Sequence, residues 1–211
     1  MMTQASNSAT DLNDYIKFLK ERLFFEPFSA PLHYNMGMAY TRKGLVDEAI
    51  SEFKQAIECD PKLAQAYVNL GGLLFQKGDL EGSIEANEKA VNLDSGLAMA
   101  HGNLGFAYQQ KGDYGKAIQA CKRAVELMPG LIQAHNTLMV SYIHSDQYEA
   151  CIEAAKRLLE IHPQFAPAHY NIAVAYRMLG NVQQALEHFG KAKALGYPMD
   201  EETENDWKSL Q

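Results

Sequence analysis

Small, aromatic and turn-forming residues recur along this chain with a period of 34. Gly37, Gly71 and Gly105 are 34 residues apart, Gly44, Gly78 and Gly112 repeat the interval, and Gly180 falls on the same grid. A small residue seven places before a turn glycine, repeated at this period, predicts a unit of two antiparallel helices stacked into a solenoid. Such a molecule works through a continuous concave surface rather than a buried catalytic pocket.

Five units follow without gaps, at 30–63, 64–97, 98–131, 132–165 and 166–199. Position 8, where the two helices come closest, holds Gly37, Gly71, Gly105, Met139 and Ala173. Position 11 is bulky, with Tyr40, Leu74, Tyr108, Tyr142 and Tyr176. The turn at position 15 calls for a left-handed backbone, and there stand Gly44, Gly78, Gly112, Asp146 and Gly180. Positions 20 and 27 are small again: Ala49, Ser83, Ala117, Cys151 and Ala185, then Ala56, Ala90, Ala124, Leu158 and Ala192. Pro61, Pro129 and Pro163 at position 32 stop the second helix.

In this pattern the chain resembles the tetratricopeptide repeat family, whose 34-residue helix-turn-helix unit has the same small, aromatic and proline positions. The resemblance covers 30–199 and implies an all-α fold, a right-handed α-solenoid superhelix. The fourth unit departs most. Met139, Asp146 and Leu158 enlarge or stiffen sites that should be small, which predicts local widening between its helices.

The flanks fit the same grid. Residues 11–26, followed by Pro27, read as a second-helix half-repeat capping the N-terminus, with Leu12, Tyr15, Ile16, Leu19 and Leu23 as its core stripe. The capping segment extends to residue 29, and residues 1–10 are expected to be disordered. Residues 200–211 suit a C-terminal capping helix closed by Trp207 and Leu210. Caps at both ends predict a complete protein.

Composition narrows the function. The 211 residues are 47% apolar and 21% charged, with a net charge of −7. Nucleic-acid affinity comes mainly from lysine and arginine on phosphates, so this balance argues against nucleic acid. No apolar run reaches the length of a membrane span, and the N-terminus lacks a secretory signal, so a cytoplasmic location is expected.

Candidate chemistry dissolves on the grid. His33, His101, His135 and His169 all occupy position 4, and successive units are separated by about 8–10 Å, too far to share a zinc ion. They are expected to pack between helices, leaving His144 to face the groove. Cys59, Cys121 and Cys151 fall on second-helix core positions as free thiols. With no phosphate loop, no zinc-protease motif and no nucleophile elbow, the reading is a protein without catalytic residues, metal or cofactor.

Function is expected on the concave face lined by the first helices. Position 6 reads Asn35, Asn69, Asn103, Thr137 and Asn171. An amide both donates and accepts, so such a row can pair with peptide main chain of any sequence. It resembles the asparagine ladder in the superhelix of O-GlcNAc transferases, with Thr137 breaking the row. Around it stand Tyr34, Met38, Val68, Phe75, Met99, Phe106, Val140, Ile143, Tyr170, Val174 and Met178, an apolar and adaptable surface.

The carboxylate clamp of heat-shock co-chaperones needs lysines and arginine where this chain offers Tyr34, Met38, Asn69, Met99 and Asn103, so an acidic chaperone C-terminus is excluded as ligand. The expectation is a non-catalytic adaptor binding a peptide or helical segment of a partner protein. The alternative is a homo-oligomeric scaffold assembled through the groove or through the aromatic N-terminal cap, where Phe18, Phe24 and Phe28 lie.

Overall fold

A helix begins at Ala30, Ala64, Ala98, Ile132 and Ala166, once every 34 residues. The computed structural model describes residues 2–210, with side chains from residue 11 onward apart from 208. Among these residues all regular structure is helical: α1 (Met2–Phe25), α2 (Ala30–Lys43), α3 (Val46–Cys59), α4 (Ala64–Gln76), α5 (Leu80–Leu93), α6 (Ala98–Gln110), α7 (Tyr114–Leu127), α8 (Ile132–His144), α9 (Tyr148–Ile161), α10 (Ala166–Met178), α11 (Val182–Ala194) and α12 (Glu201–Lys208). The helix α1 starts well before residue 11, where the sequence predicts disorder. Extending a helix already held by packing needs only one backbone bond per residue added. Residue 1 lies outside the described residues.

The turn inside each hairpin has left-handed backbone, with φ of 76°, 82°, 77° and 76° at Gly44, Gly78, Gly112 and Gly180. Asp146 takes the same role in the fourth hairpin at φ 56°, and Tyr148 Oη donates to its carboxylate at 2.5 Å. Two of the second helices, α5 and α7, are started by side-chain caps. Asp79 accepts from the Gly82 amide and Asp113 from the Lys116 amide.

The chain divides into two compact units, Met1–Asn103 and Leu104–Gln211. In the first, Ile16 and Leu19 of α1 pack with Met36 and Ala39 of α2. Tyr15, placed on that stripe by the sequence, is instead 41% exposed, because the buried side of α1 is narrower than the periodicity suggests. A second cluster joins Phe53, Ala49 and Ala56 of α3 to Ala66, Leu70 and Leu73 of α4.

In the second unit one continuous core runs from Ile118 and Cys121 of α7 through α8 and α9 to Ile172 of α10. At its end Trp207 of α12, 2% exposed, packs on Ala173 and Ala185 and stacks on Phe189 at 4.6 Å. Arg177 adds an ion pair with Asp206 at 2.6 Å and lies over the indole.

All ten residues at positions 20 and 27 are fully buried. Close helix approach is set by positions 8 and 24 together. A Cβ on Gly71 would stand 2.2 Å from Asn87 Nδ2, and one on Gly105 would stand 2.2 Å from Cys121 Sγ. In the fourth hairpin the volumes are exchanged. Met139 occupies position 8, and position 24 is Ala155, both fully buried in one cluster with Leu158. The backbones of α8 and α9 approach less closely along their length than those of α2 and α3, α4 and α5, or α10 and α11.

Candidate functional site

The first helices carry the position-6 row, but its members stand in different surroundings. In the N-terminal unit Asn35, Asn69 and Asn103 are half-buried. Asn69 Nδ2 donates to Tyr34 Oη at 3.2 Å and to the Gln65 carbonyl at 2.9 Å. Its Oδ1 takes no part in these bonds. Asn103 Nδ2 donates at 3.2 Å to Oδ1 of Asn87, a fully buried amide that itself donates to the Ser83 carbonyl at 2.8 Å. Asn103 is therefore partly a structural residue. The sequence carries no signal for Asn87, because its second-helix position 24 holds Phe53, Cys121, Ala155 and Phe189 elsewhere.

In the C-terminal unit the row turns inward. Thr137 is 2% exposed and Asn171 7%, and Asn171 Nδ2 reaches Oδ1 of Asn136 at 3.5 Å. The half-buried amide there is Asn136, one position earlier. Tyr170 stacks on Tyr197 at 4.4 Å, and Val174 packs on the cluster containing Trp207, so both are half-buried against the C-terminal segment. Burial and the neighbouring Tyr170 push the Tyr197 phenol pKa up.

Among the apolar candidates, Tyr34 and Met38 lean on the core around Phe53, with the Tyr34 and Phe53 rings edge to face at 5.7 Å. Val68, Phe75, Phe106, Val140 and Ile143 are half-buried, while Met99 and Met178 are 47% and 58% exposed. The face is thus apolar and partly wet. His144 is exposed and stacks flat on Tyr114 at 4.7 Å.

The position-4 histidines do more than fill space. His33, His101 and His135 each bring Nε2 to a carbonyl six residues earlier, at Pro27, Ser95 and Pro129, over 3.1, 3.2 and 2.8 Å. His169 is hydrogen-bonded to the Pro163 carbonyl in the same way. Each ring thereby satisfies a carbonyl in the loop that leads into its own helix. Periodicity could not show this, because the partner is backbone. Burial holds the pKa of His135, His169 and His188 below the ordinary histidine value.

Burial drives the Cys121 and Cys151 thiols up to about 12, so neither forms a thiolate at neutral pH. Cys59, expected in the core, is half-buried at the end of α3, where the helix leaves the packed region. Among the described residues no cluster of three or more histidine, cysteine or carboxylate side chains could hold a metal ion. No helix among them is long and apolar enough to cross a membrane.

Comparison with known proteins agrees with this hairpin geometry. The sequence matches the tetratricopeptide repeat over 98–131 and 154–187 and the TPR repeat over 37–78 and 71–112. The chain belongs to the tetratricopeptide-repeat family. The solved structure of MamA protein is 27% identical, with a TM-score of 0.73 over 85% of this chain and 95% of that one. A second MamA structure is 29% identical at TM-score 0.71, covering 81% and 97%.

YrrB, described as a TPR protein with an unusual peptide-binding site, superposes at TM-score 0.80 with 20% identity, covering 90% and 97%. At that identity the likeness speaks for the fold alone. No curated protein matches the sequence significantly. Tetratricopeptide repeats serve as protein-interaction modules and are, as a class, non-catalytic.

Proposed function

We propose that this tetratricopeptide-repeat chain is a non-catalytic adaptor whose five repeats, flanked by capping helices, hold a segment of a partner protein on the first-helix face. The observation that supports it is the half-buried row Asn35, Asn69 and Asn103 beside Tyr34, Met38 and Val68. Amides that keep an acceptor beyond their internal bonds can grip main chain, and the half-buried apolar groups beside them supply anchors. The reading centres on the N-terminal unit, because Asn171 is buried and the half-buried Tyr170 and Val174 already pack on Tyr197 and on the cluster around Trp207.

Asn35→Ala with Asn69→Ala tests it. Asn103 is avoided because its loss would strip a partner from buried Asn87. Proteins retained by the wild-type chain from native lysate should fall away from the double variant, whose helicity and melting stay unchanged. Equal retention by both chains would end the ladder reading.

The homo-oligomer alternative rests on a separate observation. Phe24 and Phe25 at the end of α1 and Phe28 in the turn that follows are 81%, 77% and 86% exposed, an unusual concentration of aromatic surface. Light scattering behind a sizing column decides it, since a monomer at high micromolar concentration removes this reading.

A further inference from the structure

Repeats one, three, four and five share a histidine at position 4. Position 23 carries a polar partner for it in the first and fifth and alanine in the third and fourth, Ala120 and Ala154. Of the two histidines facing alanine, His135 is the buried one. In the first repeat His33 Nδ1 meets Glu52 Oε2 at 2.7 Å. In the fifth His169 Nδ1 meets His188 Nδ1 at 3.2 Å. Glu52 and His188 both stand at position 23, on the second helix. The fourth repeat has the same histidine with the same Nε2 bond to the carbonyl six residues earlier, but its position 23 is Ala154. His135 is 6% exposed and its Nδ1 is buried with no hydrogen-bond partner. A buried orphan of this kind calls for an explanation.

Ala154 lines a cavity. A pocket of about 430 Å³ between α7, α8 and α9 is lined by His135, Ala154, Tyr142, Leu138 and Val125. That volume falls in the range of sites that take small organic groups. Its rim carries Lys122, Glu126, Glu153 and Arg157, two charges of each sign, with Arg157 paired to Glu153 at 3.4 Å. Such a site selects by shape and by one hydrogen bond, not by charge.

The polarity of that bond follows from the fixed end of the ring. Nε2 faces a carbonyl, which only accepts, so Nε2 carries the hydrogen and Nδ1 presents a lone pair. An occupant must therefore donate. Its shape can be read from the fifth repeat, where the imidazole of His188 lies 5.3 Å from the His169 ring and 5.9 Å from Tyr176. Tyr142 is the fourth-repeat counterpart of Tyr176 and still lines the pocket. What is missing between His135 and Tyr142 is a flat ring bearing a donor.

We propose that this pocket receives an aromatic side chain with a hydrogen-bond donor, the phenol of a partner protein's tyrosine, which supplies the contact that position 23 makes in the first and fifth repeats. The site lies on the second-helix side and does not depend on the asparagine row, so the two readings fail separately.

The test uses the full chain and follows the His135 ring nitrogens by NMR at pH 7.5. Titration with p-cresol should give a saturable shift at Nδ1, with Tyr142 perturbed alongside. Toluene, which has the ring without the donor, should bind about fivefold more weakly, the worth of one neutral hydrogen bond. Ala154→His restores the internal partner and should abolish the p-cresol response. Should that variant fail to fold by circular dichroism, Ala154→Val, which fills the space without donating, serves instead.

Toluene binding as tightly as p-cresol, or a response unaltered by filling position 154, overturns the site. N-acetyl-Gly-Tyr-Gly-amide should bind at least as tightly as p-cresol, and binding about tenfold weaker would overturn the assignment to a protein side chain.

Discussion

A Cβ atom on Gly105 would stand 2.2 Å from the Sγ of Cys121, and 3.3 Å from the Ala117 carbonyl oxygen. The pair fixes how closely α7 packs on this part of α6. Gly105→Ala should therefore destabilise the fold even though alanine is the better helix former. The propensity gain is about 1 kcal/mol, whereas overpacking costs about 1–3 kcal/mol and the backbone side of the clash cannot rotate away. Adding Cys121→Ala should recover most of the loss, since Met139 above Ala155 is the natural form of that exchange. Gly190→Ala is the control. It has open space within 4 Å and no positive φ, and should stabilise slightly. Urea midpoints of the four chains check the order, and a Gly105→Ala chain as stable as Gly190→Ala would refute the packing account.

Asp146 is the sole non-glycine residue at positive φ among the described residues, and it sits at a turn that is glycine in the other four repeats. Asp146→Gly should raise Tm, with a stability gain of about 1 kcal/mol from relief of the left-handed backbone. Loss of the exposed bond from Tyr148 offsets only part of this. A lower Tm would mean that the Tyr148 contact outweighs the strain.

The histidine pair sets a pH dependence whose sign can be worked out. His169 and His188 are held below the ordinary histidine pKa first by burial, then by Lys191; Lys156 adds to this at His188, opposed by Glu187. Burial acts likewise on His135, with His162 adding to it. A lowered pKa in the folded state means the unfolded chain binds protons first, so stability falls as pH drops below about 6.5, the unfolded value. Asp206, whose carboxyl is held low chiefly by its bond from Arg177, acts only below about pH 4, in a separate window. Urea midpoints should be level from pH 8 to 7 and decline toward pH 5, and His188→Gln should shallow the decline. A midpoint that rises on acidification would contradict this.

The hairpins were legible because glycine, alanine and proline mark backbone geometry directly, and those letters recur on a fixed grid. The fourth hairpin shows where column-by-column reading stops. Met139 alone signals widening, while Ala155 opposite it has meaning only when positions 8 and 24 are taken as one volume. The asparagine row was legible as spacing but not as chemistry. Whether an amide is available depends on whether a neighbour such as Asn87 or Asn136 has already claimed it. The reach of each position-4 histidine to a carbonyl had no letter to betray it.

The volume exchange between Met139 and Ala155 also bears on how such a chain can be inherited. A first helix bearing methionine at position 8 fits a second helix bearing alanine at position 24, and would collide with one bearing cysteine or phenylalanine. Duplication or recombination that cuts between hairpins preserves every such match, and a crossover at a turn glycine breaks one. The hairpin, not the single helix, is the smallest segment this protein could exchange with a relative and still fold.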